Sequence, residues 1–126
     1  MEKCLILVVD DEKAICSLVA QMLGRCGYTV VTEQSGAACL TRLRAGFRGL
    51  VLMDIAMPEM NGWETIHHIV DEGLAEKNII CMMTGLAQPG SDGEGLEEHV
   101  MDYLVKPLRV GLLLEVARRA SDALSA

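Results

Sequence analysis

Four apolar runs break off on a polar or charged residue, and that punctuation leaves this chain few ways to fold. The run 4–9 ends on Asp10 and Asp11, the run 50–53 on Asp54, the run 79–83 on Thr84, and the short run 103–105 on Lys106 and Pro107. Apolar runs of this length without alternation predict strands covered on both faces, as in a parallel sheet. With all four strands parallel, their carboxyl ends share one edge. Three carboxylates, a hydroxyl and an ammonium then meet there. That set suits a divalent cation and a phosphoryl group.

The segments between these runs carry helical period. Ile15, Leu18, Val19, Met22 and Leu23 recur at the spacing of one helix face, and Gly27 stops the pattern. A short β-branched strand, residues 29–32, precedes Ser35 and Gly36, which start a second helix through Leu40, Leu43 and Phe47. Asn61 with Glu64 three residues on resembles a capping box for a third helix, whose buried stripe is Trp63, Ile66, Val70 and Leu74. Leu113, Val116, Ala117, Ala120 and Leu124 mark one side of a closing helix over 109–124. The fourth helix is the weak one. Gly85, Pro89, Gly90, Gly93 and Gly95 interrupt the segment after Thr84, each internal glycine costing a helix about 1 kcal/mol relative to alanine, so only 96–101 is expected to be helical and 85–95 to be loose. The order is strand and helix in alternation, five strands with a closing helix, without internal repeat or linker. Residues 1–126 are read as one domain.

Composition narrows the function classes. Half of the residues are hydrophobic and only four are aromatic, which suits an aliphatic interior. A net charge of -7 argues against direct nucleic-acid binding and against an anionic membrane surface. No apolar stretch approaches the roughly 20 residues needed to span a bilayer, and the amino terminus lacks the pattern of a signal peptide. The five cysteines are scattered, with no C-x-x-C pair, and read as small buried hydrophobes in a reducing cytoplasm. His67 and His68 are helix neighbours whose side chains diverge, so they are read as a solvated face, and Trp63 as core.

Taken together, Asp10-Asp11-Glu12, the stretch Asp54-Ile55-Ala56-Met57-Pro58-Glu59-Met60-Asn61-Gly62, Thr84-Gly85 and Tyr103-Leu104-Val105-Lys106-Pro107 resemble the receiver domain of two-component response regulators, over the whole chain and in order. The resemblance implies a doubly wound, flavodoxin-like α/β fold with five parallel strands in order 2-1-3-4-5. The chemotaxis receiver is the familiar example of that order, which periodicity alone does not supply. It implies Asp54 as phosphoacceptor, and Mg2+ (or Mn2+) held by Asp11, Asp54 and the carbonyl of Ala56, with Asp10 acting through water. It further implies Lys106 and Thr84 on phosphoryl oxygens, the N–H groups of Ala56 and Gly85 completing the cradle, and Thr84 and Tyr103 as switch residues. The family often has a cis peptide before the proline that here is Pro107. The charge logic agrees: a carboxylate attacks a phosphate anion only when cations cancel their repulsion.

The expected partners are a sensor histidine kinase or histidine phosphotransfer protein as donor and a downstream effector as target. The readout surface is helix 4, strand 5 and helix 5, roughly residues 94–122, with a phosphorylation-dependent dimer as one form of it. The pattern closes with the last helix, so no DNA-binding or enzymatic effector is included in these residues, and a single-domain regulator and one domain of a longer protein both stay open. Catalysis is limited to the domain's own phosphorylation and dephosphorylation, the latter slow because Ala56 and Leu86, which tune hydrolysis in the family, are both apolar. Three rival readings compete with this one. A flavodoxin needs a Ser/Thr/Gly-rich loop where this chain has Asp-Asp-Glu. A haloacid-dehalogenase-like phosphatase needs a second Asp at the position of Ala56. A degenerate receiver acting as a phosphorylation-independent binding module is the serious alternative, and the full set of phosphorylation positions argues against it.

Overall fold

The computed structural model describes residues 3–85 and 95–125. Its sheet is built from β1 (Leu5–Val9), β2 (Val30–Glu33), β3 (Gly49–Asp54), β4 (Ile79–Thr84) and β5 (Val100–Val105), all parallel and in the order β2-β1-β3-β4-β5. Helices α1 (Lys13–Gly24), α2 (Gly36–Arg44), α3 (Gly62–Asp71) and α4 (Val110–Ser125) cover it. This is the doubly wound, flavodoxin-like topology the resemblance implied.

Alternate side chains of each central strand feed opposite layers, which is why the strands read as unbroken apolar runs. Ile6, Val8, Leu50, Leu52, Cys81 and Met83 pack with Val19 and Leu23 of α1 and Val116 and Ala117 of α4. Leu7, Val9, Val51, Met53, Ile80 and Met82 pack on the other face with Leu40 and Leu43 of α2 and Trp63, Ile66 and Ile69 of α3. Register puts Asp54 beside Met83, and Thr84 beside Val105, so the polar residues at the strand ends fall along one edge.

Helix starts follow from local chemistry. The Ser35 hydroxyl accepts the Ala38 N–H at 3.1 Å. Asn61 and Glu64 form a reciprocal capping box, Asn61 Oδ1 accepting from the Glu64 N–H at 2.9 Å and Glu64 Oε1 from the Asn61 N–H at 3.0 Å.

Four details depart from the sequence reading. The expected helix over 96–101 is a 3-10 turn at Glu97–His99, and Met101 already belongs to β5. Asp102 hid the longer strand by interrupting its apolar run; its carboxylate faces outward and pairs with Arg119 of α4. In α3 Ile69 joins Trp63 and Ile66 in the buried stripe, Val70 and Leu74 are only partly buried against the same core, and the helix ends before Leu74. Leu18 and Leu124, assigned to buried stripes, are exposed, while Cys16 and Ser121 take the inward positions. Leu86, most of the loose segment 85–95 and Glu94 at the start of the readout surface lie outside the described residues. No helix among the described residues is long and apolar enough to cross a membrane. His67 and His68 are exposed, and all five cysteines are free, three of them buried.

Candidate functional site

The site is assembled from the last residues of β3 and β4 and the first residues after β1 and β5. Asp10 follows β1 and is fully buried. Its Oδ1 accepts the Glu12 N–H at 2.9 Å, which pins the carboxylate against its own turn, and its Oδ2 accepts from Lys106 Nζ at 2.8 Å. Asp54, the last residue of β3, is 4% exposed, and its Oδ1 accepts from the same Lys106 Nζ at 3.3 Å. Lys106 is held in turn by its backbone N–H, which donates to the Thr84 carbonyl at 2.8 Å, and its peptide bond to Pro107 is cis. One ammonium thus bridges two buried carboxylates, and Asp11 stands beside them at the exposed rim.

The donor set fits a hard divalent cation. Asp10, Asp11 and Asp54 each offer a carboxylate oxygen, and these lie within 4.8 Å of one another. All-oxygen ligation with an open, exposed side suits magnesium, which uses one or two carboxylates and keeps several waters. Thr84 is buried at the end of β4, and Ala56 and Gly85 are exposed beside Asp54 and Thr84 in the chain. Asp10, Asp11, Asp54 and Lys106 are therefore brought together, with Thr84 one residue beyond Asp54 in the strand register. Tyr103 is not part of this cluster. It lies half-buried on β5 with its ring 6.2 Å from that of Trp63, tilted by 50°.

Two contributors went unread in the sequence. Gly62 opens α3 directly against the end of β3, and a Cβ there would stand 2.6 Å from the Asp54 carbonyl oxygen and 2.9 Å from Ile55 Cα. Its signal was the final glycine of the Asp54–Gly62 motif. The second is the Glu12 N–H on Asp10, a backbone contact without a sequence signal. Glu59, in the loop between β3 and α3, takes a φ of 67°, a left-handed turn unusual for a residue with a side chain.

Charge crowding has a measurable consequence. Burial, and then the neighbouring Asp10 charge, push the Asp54 carboxyl up to about 6 against the pull of Lys106. For Lys106 burial works to lower the pKa, but its hydrogen bond to Asp10 and the charges of Asp54 and Asp10 outweigh that and hold it above the ordinary lysine value. Below the ordinary carboxylate range Asp54 is protonated in both folded and unfolded chains. As pH rises from about 4 to about 6 the unfolded chain loses this proton first, so the group's contribution to stability falls across that window and is constant above it. In EDTA, Asp54→Asn is therefore expected to be more stable than wild type near neutral pH, on the order of 1 kcal/mol. The advantage should shrink as pH falls to about 4. Urea melts at both ends of the window check this, and an advantage independent of pH would assign the crowding to another group.

The chain matches known proteins along most of its length. Residues 6–118 match the response regulator receiver domain. A probable cyclic di-GMP phosphodiesterase of Vibrio cholerae serotype O1 is 34% identical over 113 residues, which are 90% of this chain and 25% of that protein. The chain spans from about a quarter to about two fifths of the length of the curated relatives it matches. A CheY-like response regulator receiver domain protein of Methanospirillum hungatei has a solved structure with a TM-score of 0.89 and 34% identity, covering 95% of each chain. The response regulator protein TrrA of Thermotoga maritima, solved in complex with Mg2+ and BeF, gives a TM-score of 0.77 at 28% identity, covering 91% of this chain and 96% of that one.

Proposed function

Because the chain belongs to the response regulator receiver domain family of two-component signalling, we propose that residues 1–126 form one receiver that accepts a phosphoryl group on Asp54. The donor is the phosphohistidine of a sensor histidine kinase or of a histidine phosphotransfer protein. The observation that carries this reading is the cluster of Asp10, Asp11 and Asp54 carboxylates within 4.8 Å, with Lys106 Nζ 3.3 Å from Asp54 Oδ1.

Each side chain has a task that its environment supports. An Asp54 oxygen attacks phosphorus, the O–P bond forms as the bond to the donor's imidazole nitrogen breaks, and the ring leaves as neutral imidazole because its other nitrogen carries a proton. Lys106, already beside Asp54, meets the charge on a phosphoryl oxygen as a point charge. Thr84 offers its hydroxyl, and the N–H groups of Ala56 and Gly85 the remaining hydrogen bonds. Mg2+ (or Mn2+) bound by Asp11, Asp54 and the Ala56 carbonyl, with Asp10 through water, would supply the neutralising positive charge between carboxylate and phosphoryl group. The likeness to TrrA, solved with Mg2+ and BeF, supports that choice of ion.

Outward signalling falls to β5, the turn before it and α4, within residues 94–122, through Thr84 and Tyr103 to an effector protein or domain. A phosphorylation-dependent dimer is one form of that output. A cytoplasmic location belongs to the same reading and is supported by five unpaired thiols. The domain's chemistry is confined to gaining and losing its own phosphate. Incubation with acetyl phosphate is the test. One phosphoryl group per chain should appear by intact mass with Mg2+ and none in EDTA, and equal uptake in EDTA would overturn the proposal.

A further inference from the structure

The pole opposite Asp54, where β1 and β3 begin and α4 ends, carries a cleft of about 520 Å³. Two apolar side chains stand in water there, Leu5 at 45% and Leu124 at 37% exposure. Lys3, Arg48 and Lys77 also line it, and Glu76 is the opposing charge among the lining residues. Arg48 and Lys77 line a second groove as well, of about 250 Å³, which runs to Phe47 between α2 and α3. The two hollows share one cationic ridge.

The cations on this ridge are unused. Arg42, Arg44, Arg119 and Lys106 each have a carboxylate partner, whereas among the described residues Lys3, Arg48 and Lys77 form no ion pair. Lys3 instead lies 5.7 Å over the Tyr28 ring. In a chain of net charge -7, three cations against the single carboxylate of Glu76 leave the described lining of this cleft net positive.

We propose that this pole docks an acidic amphipathic segment of a partner protein. Its carboxylates meet Arg48 and Lys77, one apolar anchor enters the cleft beside Leu5 and Leu124, and a second enters the groove beside Phe47. The order of surfaces, apolar then cationic then apolar, matches a segment with acids between its anchors. A second copy of this chain is disfavoured, because a twofold contact through this pole sets like cations face to face. An anionic bilayer and a phosphodiester backbone both meet the repulsion of the whole acidic chain. The inference rests on this pole alone and not on the role of Asp54.

The test uses the full chain and an array of fluorescent peptides of about 15 residues, with Leu or Phe anchors at helical spacing and Asp or Glu between them. A matched array with Lys for the acids, phosphatidylglycerol vesicles and sedimentation of the chain alone accompany it. The acidic array should bind, and bind more weakly as salt rises. The double variant Arg48→Glu/Lys77→Glu should weaken binding roughly tenfold or more. Amide shifts in the wild type should gather around Leu5, Gly49 and Asn78, while phosphoryl uptake in the double variant stays at the wild-type rate. The docking site is overturned if acidic peptides bind no better than basic ones, or if binding ignores the double variant. It is also overturned if vesicles or a second copy occupy the pole instead.

Discussion

Asp54→Asn is expected to take up no phosphoryl group from acetyl phosphate and Mg2+ under conditions where the wild type takes up one. The amide is neutral and its oxygen lone pair is delocalised, so the loss of nucleophilicity should slow uptake by roughly three orders of magnitude or more. Folding is not at stake in this substitution. The introduced amide keeps the size of the side chain and an oxygen for Lys106, and it removes a charge from a crowded buried pair. Nor do the neighbours offer a ready substitute. Asp10 is fully buried with one oxygen on the Glu12 N–H and the other on Lys106, so neither is presented to a donor. Intact mass and peptide mapping of the labelled protein are the measurements. Labelling of the variant at the wild-type rate, or phosphate found on Asp11 in the wild type, would move the acceptor and dismantle the assignment.

Gly49→Ala is expected to lower stability by about 3 kcal/mol, the upper range for forcing an extra methyl into a packed interior. Gly49 opens β3 opposite Leu5 of β1, and a Cβ there would stand 2.2 Å from the Leu5 carbonyl oxygen. The obstacle is backbone, so no rotamer can relieve it. Either the strands part at this end or the Gly49 N–H leaves Asn78 Oδ1, now 3.0 Å away, and leaves a buried amide short of a partner. Gly111→Ala is the matched control. It lies in α4 with nothing within 4 Å of the added Cβ, and helix propensity should stabilise it by about 0.5 kcal/mol. Urea unfolding of both variants decides the matter. A Gly49→Ala midpoint equal to that of the control would mean that β1 can slide past β3 without cost.

Where the sequence was legible, a single physical demand had shaped it. Strands buried on both faces must be apolar at every position, so β1, β3 and β4 announced themselves and their polar ends marked the site before any geometry was known. Strand β5 satisfies a mixed demand at the sheet edge. Val100, Met101 and Tyr103 are half-buried and Asp102 turns outward to Arg119, so the first two residues of the strand passed for the end of a helix. The strand order was not in the periodicity at all, since alternation of strands and helices allows several windings; it came with the family likeness. Within the site, side-chain chemistry was readable and contact was not. That Lys106 would bridge Asp10 and Asp54 follows from the β4–β5 register and from the Lys106 N–H on Thr84, both of which are tertiary facts. Gly62 shows the same boundary. The residue was visible, but its reason is the Asp54 carbonyl oxygen, which would stand 2.6 Å from any Cβ placed there.

That close neighbour bears on conformational entropy. The peptide that follows Asp54 is fixed from several directions: Gly62 abuts the Asp54 carbonyl oxygen, the Ile55 N–H donates to the Met83 carbonyl at 3.0 Å, and the Ile55 carbonyl accepts the Gly62 N–H at 2.8 Å. Holding one residue's backbone in a single well costs about 1–2 kcal/mol of entropy, and here that cost falls on folding rather than on each encounter with a donor. Only the side-chain torsions of Asp54 remain to be set, and Lys106 already restrains them. On the proposal that Asp54 is the acceptor, this prior arrangement leaves a donor little to supply beyond proximity and alignment, and a molecule as small as acetyl phosphate is expected to serve in place of a whole kinase.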